Sequence, residues 1–384
     1  MACVLIFKFK ITEFKRYKLY LLGENYMTRY VALDAFRGFT IALMILVNTP
    51  GSWSHVYSPL LHAKWHGCTP TDLVFPFFLF IIGSAMFFSL KKSDFAATPI
   101  QFYQIIKRGL ILFFIGYLLN VIPFDTPLDA LRIMGVLQRI GIAYIIAASL
   151  TVLFNRRGVF IVSAIILLAY WGLLFSAGDN GLTIDGNIIR QFDLATIGAN
   201  HMYTMRGVSF DPESLLSTIP SVVSVLLGFE LTRYLISIED KKNSVIKLTV
   251  LGGAFVGIGL LWGLVLPINK PLWTSSYVIY TAGYACLLLA VFVWIIDVKG
   301  HSKLVAPLLV YGTNPLFVFV LSFVFITTYL NITVGNSSLY GWLYQQFRLI
   351  ANPTLASFLF AVSHVVLFWF ISLKLYQHKI FIKI

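Results

Sequence analysis

Apolar residues along this chain come in long unbroken runs rather than in short alternations. Neither the period-two pattern of a half-buried strand nor the one-sided stripe of a soluble helix accounts for them. A helix that crosses hydrocarbon needs about 20 mostly apolar residues, and windows of that kind recur through the sequence. They predict spans over 36–50, 72–90, 105–122, 135–154, 158–176, 215–237, 246–267, 276–297, 305–329 and 353–373. The connections are short apart from two. Residues 177–214 are polar and carry Gly, Asn and Asp, and residues 49–71 are rich in Pro, Gly, Trp and His. The expected fold is an all-α integral membrane protein, a bundle of about ten transmembrane helices.

Composition agrees. Of 384 residues, 58% are hydrophobic and 12% charged, against about 45–50% and about 25% in a soluble domain. Charge then orients the bundle. With the N-terminus inside, most Lys and Arg fall on inner segments. Only Lys64, Arg132, Arg190, Arg206, Lys270 and Arg348 fall on outer ones, with Arg139 inside a span. That asymmetry predicts N-in, C-in. The net charge of +13 needs no nucleic-acid partner, because basic loops facing anionic membrane lipid explain it. Cys3, Cys68 and Cys286 are too far apart in sequence to read as a disulfide framework. Residues 1–26 are short of apolar length and dense in Lys. They read as a basic extension, with the native start expected at Met27.

Polar groups at hydrocarbon are costly, so each is a candidate site. Asp34 and Arg37, three apart at the inner mouth of the first span, share a helix face. They suit an ion pair that anchors the helix end, or an anion contact by the Arg fork. Asn48 ends that span at the outer face and Asp72 opens the next. The loop between carries His55, His62, Lys64, Trp65 and His66. A carboxylate beside histidine fixes its tautomer and makes a general base; a wet interfacial loop would carry the same residue types. The His spacing fits no zinc pattern, so no metal is expected. Gln138 and Arg139 lie in the outer part of the fourth span, where Arg must find a partner such as Asp72 or Asp125, or a substrate. Asp211-Pro212-Glu213 has the form of a helix start, with Asp211 as N-cap. Asn269, Lys270 and Trp273 sit in an outer turn. They combine polar groups with an indole as a sugar-binding edge does, and also as an aromatic interfacial belt does.

These motifs are familiar together. LDAFRGFTIALMILVN and LHAKWHGCTPTDLVFPFFLFIIGS, within 33–84, resemble the heparan-α-glucosaminide N-acetyltransferase family of transmembrane acyltransferases. GVLQRIGIAY, SFDPESLLSTIPS, LPINKPLWTSSYVIYTAG and DVKG follow in the same order, so the resemblance runs over most of 30–320. It implies a single transmembrane acyltransferase domain over 27–384, with acetyl-CoA as co-substrate and acetyl transfer to a glucosamine-type amino sugar across the membrane. His62 matches the active histidine, as base or acetyl carrier, with Asn48 and Asp72 beside it. Arg37, Asp34, Gln138 and Arg139 become the expected cofactor contacts. Trp65, Asp211, Glu213, Asn269, Lys270 and Trp273 become the expected sugar contacts. A bacterial inner (plasma) membrane is the expected setting, with a homodimer among the assemblies such proteins form. The polar clusters alone also suit an inner-membrane transporter of GlcNAc- or MurNAc-type sugars.

Overall fold

The computed structural model describes residues 30–382, so the basic extension over 1–26 lies outside the described residues. Residues Ala32–Ile384 form one compact unit. Its helices are α1 Val31–Asn48, α2 Val74–Lys91, α3 Pro99–Val121, α4 Val136–Leu153, α5 Arg156–Phe175, α6 Ile188–Thr196 and α7 Thr218–Ile236. They continue as α8 Lys241–Gly263, α9 Ser275–Val293, α10 Ala306–Gly312, α11 Pro315–Asn331, α12 Leu339–Arg348 and α13 Pro353–Gln377. Among the described residues, nine helices are long and apolar enough to cross a membrane. A tenth crossing is made if α10 and α11, bent by 81°, count as one span. Among the described residues, strand is limited to two short hairpins, β1 Thr204–Met205 with β2 Val208–Ser209 and β3 Thr333–Val334 with β4 Ser337–Ser338. The molecule is an all-α membrane protein, as its apolar runs predict.

Glycine sets the tightest packing. Gly83 on α2 lies against the Val225 carbonyl of α7, and Gly228 on α7 lies against the Phe80 carbonyl of α2. Gly109 and Gly141 do the same between α3 and α4, and Gly252 and Gly283 between α8 and α9. With no hydrophobic force between helices in lipid, such close backbone approach supplies the packing that holds them. Phe36 on α1 fills the centre, edge-on to Phe77 at 5.2 Å and near Phe80 and Phe292 at 6.3 Å.

Two predicted elements differ. The Asp211-Pro-Glu sequence does not begin a helix: α7 starts at Thr218. Asp211 gives its carboxylate to Arg132 instead, and residues 211–217 continue as turns in which Ser217 N donates to Ser214 Oγ at 3.1 Å. The predicted span 305–329 is broken between Gly312 and Pro315. Proline, with no N–H to give, starts α11 at its first position. The buried Asn314 side chain exchanges two hydrogen bonds with the chain end, donating to Ile380 O at 2.9 Å and accepting from Ile382 N at 2.8 Å.

Candidate active site

The site is built on the start of α2. Thr69-Pro-Thr-Asp72 forms a short 3-10 turn closed by a capping box between Thr69 and Asp72. Asp72 Oδ2 accepts from Thr69 N, Thr69 Oγ1 and Ala63 N, each at 3.0 Å. Its Oδ1 lies 2.6 Å from His62 Nδ1. The Asp72 carbonyl accepts from Tyr277 OH of α9 at 2.6 Å. The carboxylate is therefore fixed in place and 1% exposed, while the His62 side chain is 47% exposed. A carboxylate beside Nδ1 accepts a hydrogen bond from the proton on that nitrogen, which leaves the lone pair on Nε2.

A turn after α8 lies against this loop. Gly67 N donates to Ile268 O at 2.7 Å, and Asn269 Nδ2 donates to Trp65 O at 3.0 Å. Asn269 Oδ1 accepts from Leu272 N at 2.7 Å, so this fully buried side chain clasps two loops rather than presenting itself to a sugar. Trp65 donates its indole N–H to Leu182 O at 2.8 Å and packs edge-on to Phe210. Lys270 Nζ comes within 3.2 Å of His62 Nδ1, 3.4 Å of His62 Nε2 and 3.7 Å of Asp72 Oδ1. Burial lowers the proton affinity of Lys270; Asp72, Glu213 and Cys68 oppose that and Arg139 adds to it. Burial, and secondarily Asp72, push the neighbouring Cys68 thiol up to about 12, which keeps it protonated and unreactive.

Five of the expected contact residues are engaged by the protein itself. Trp273 is 0% exposed, with Arg139 over its ring at 4.8 Å and Phe75 and Tyr277 edge-on, so no pyranose can stack there. Arg139, also 0% exposed, pairs with neither Asp72 nor Asp125. Its Nη2 donates to Pro212 O at 2.8 Å and to Ser217 Oγ. Gln138 is buried and donates to Ile133 O at 3.1 Å. Asp211 is held by Arg132 in a two-pronged pair at 2.7 and 2.8 Å, and Glu213 shares the same guanidinium at 2.7 Å. At the other end of α1, Arg37 Nη1 donates to Asp34 Oδ1 at 3.1 Å and to Gly312 O at 3.3 Å. Asn48 is exposed at the end of α1 and makes no hydrogen bond to the His62 group among the described residues.

Three residues of the site were missed in the sequence. Thr69 was readable, as a Thr three residues before an acid at a helix start. Arg132 looked like an ordinary outer-loop cation, and Tyr277 like one aromatic among many. No local signal marks either.

Fold and site together define a multi-pass helical membrane protein with a carboxylate-held histidine at one end of its bundle. The chain belongs to the heparan-alpha-glucosaminide N-acetyltransferase catalytic family, whose model matches residues 29–254. That stretch takes in Asn48, His62, Asp72, Arg132 and Asp211; the Lys270 turn falls beyond it. The chain is 29% identical over 335 residues to the heparan-alpha-glucosaminide N-acetyltransferase of Homo sapiens, covering 71% of this chain and 49% of that protein. It is 27% identical over 330 residues to that of Mus musculus, covering 71% and 50%. The chain thus spans about half the length of the curated relatives it matches.

Proposed function

We propose that this chain transfers an acetyl group from cytoplasmic acetyl-CoA to the amino group of a glucosamine-type sugar on the outer side of a bacterial inner membrane. The observation that carries the reading is His62, half exposed, with Nδ1 held at 2.6 Å by a buried carboxylate and Nε2 approached by Lys270 Nζ at 3.4 Å. The family and the names of the relatives supply the acetyl chemistry. In the transfer the sugar nitrogen bonds to the thioester carbon and the C–S bond breaks. The amine's proton passes to Nε2 and then to the departing thiolate, so His62 ends as it began. The same nitrogen serves equally as an acetyl carrier. Arg37, oriented by Asp34, is the inner-face contact for the phosphates of CoA, which cannot themselves cross the bilayer.

The test uses purified protein in liposomes, labelled acetyl-CoA and glucosamine. His62→Ala is expected to lower transfer by about 10²-fold or more while the protein still folds. Full transfer by that variant overturns the role of His62. Uptake of labelled N-acetylglucosamine in the absence of acetyl-CoA would point to a transporter instead.

A further inference from the structure

Lys270 stands nearly equidistant from the two ring nitrogens of His62, at 3.2 and 3.4 Å. In the ring plane, a nitrogen so placed would overlap the ring carbons, so Nζ stands over the imidazole face. There it is in line with neither the Nδ1 proton nor the Nε2 lone pair, and no straight proton path joins it to His62. Its distance of 3.7 Å from Asp72 Oδ1 is too long for a hydrogen bond. The ammonium thus keeps N–H groups to spare, at a side chain only 16% exposed. An amine nitrogen hydrogen-bonded to Nε2 attacks an acyl carbon one forming bond away, beside this ammonium. A carbonyl oxygen turned to the same face of the ring comes within hydrogen-bond reach of it.

We infer that Lys270 is a catalytic residue of the acetyl transfer, its ammonium donating to the thioester oxygen as that oxygen gains negative charge. The inference rests on the acetyl-transfer reading above. As the nitrogen–carbon bond forms, the carbonyl pair moves onto oxygen, and Lys270 holds that charge without giving up its proton. When the carbonyl re-forms and the C–S bond breaks, the thiolate takes the proton that His62 removed from the amine. A preorganised charge in a half-dry site is worth more than one in water, because nothing reorganises during the step.

The groups around Lys270 bear on its protonation. Asp72 and Cys68 face it from the loop and the start of α2, and Glu213 from the turns before α7. Arg139 faces it from α4. Tyr277 of α9 donates to the Asp72 carbonyl, and His66 lies 3.3 Å from the Asn269 amide next to Lys270. Burial favours the neutral amine, and Asp72 and Glu213 hold the ammonium against it. The rate should therefore fall on the alkaline side as Lys270 loses its proton, at a pH below the ordinary lysine range.

The experiment compares wild type, Lys270→Met and Lys270→Arg in the liposome assay, reading kcat and KM for acetyl-CoA across pH. Lys270→Met is expected to lose about 10²-fold in kcat with KM little changed. Lys270→Arg, which keeps its charge at every pH, is expected to retain more of the rate and to lose the alkaline fall. A merely structural lysine would not move that limb. Lys270→Met within about threefold of wild-type kcat overturns the inference. So does an alkaline limb in Lys270→Arg at the wild-type pH, and that comparison decides the matter if the Met variant does not fold. Wild type that moves no acetyl overturns the acetyl-transfer reading and this inference with it. Wild type that transfers while Lys270→Met matches it overturns this inference alone.

Discussion

Asp72 and Asp193 are both buried carboxylates, and their surroundings differ sharply. Asp72 has three N–H or O–H donors on one oxygen and an imidazole on the other. Asp193, on the short helix α6, has one backbone donor, Leu215 N at 3.3 Å, and a second oxygen with no partner. Burial first, and then repulsion from Asp211, push its carboxyl up to about 7, against the pull of Leu215 N and Arg139. The folded state therefore binds this proton more tightly than the unfolded chain does. The stabilisation is complete below the ordinary carboxyl range and is lost as pH rises towards about 7. Wild type should melt several degrees lower at pH 8 than at pH 5, and Asp193→Asn, measured in the same detergent, should lose most of that difference. An equal drop in the variant would assign the dependence to other groups. Asp193 escaped notice in the sequence because a polar loop residue gives no hint of burial; the turns over 211–217 do the burying. His62 and Asp72 were legible because they lie ten residues apart in one loop and match the motif of the family the chain resembles. Trp273 was misread for the opposite reason: an indole beside Pro, Asn and Lys looks interfacial, and only the fold shows Arg139 covering its face.

Helices read clearly from apolar runs and their contacts read poorly. The predicted spans match α1 to α5, α7 to α9 and α13 closely, because a crossing helix must be apolar along its whole length. The amphipathic helices α6 and α12 were missed: each is short, and neither has a long apolar run. The break between α10 and α11 left a trace, Gly312-Thr-Asn314-Pro315, but not its 81° angle, which depends on what packs around it. Glycines are ambiguous in the same way. Gly83 and Gly253 both stand inside apolar helices, yet a side chain at Gly83 meets the Val225 carbonyl and one at Gly253 meets nothing. Gly83→Leu should therefore force α2 and α7 apart, costing about 1–3 kcal/mol or more. Gly253→Ala should be neutral or stabilising by up to about 1 kcal/mol. Thermal melting of the two variants side by side separates a helix crossing from a helix surface. A Gly83→Leu protein as stable as wild type would remove the crossing from the account of what holds the bundle.

The fate of the bent pair decides how the whole molecule sits. If α10 and α11 cross together, the described residues make ten passes, and the start of α1 and the end of α13 share a side. If the pair turns back, there are nine, and the end of α13 emerges opposite the start of α1. Lys374 and Lys379, beside the end of α13, favour the inner side for it, while the β3–β4 hairpin and α12 carry Arg348 as their one basic residue. Arg37 and the His62 loop are separated by α1 alone, so the proposed transfer across the membrane is compatible with nine passes or ten. Three exposed positions report on this: Trp53 in the His62 loop, Asn336 in the β3–β4 hairpin and His378 after α13. In a background with Cys3, Cys68 and Cys286 replaced by Ser, W53C, N336C and H378C would each be offered an impermeant maleimide on sealed right-side-out vesicles. W53C and N336C should label at once and H378C only after lysis. Labelling of W53C and H378C together from outside would make the bent pair re-entrant. Labelling of H378C alone would invert the bundle, placing His62 on the same side as acetyl-CoA. The membrane would then no longer stand between donor and acceptor.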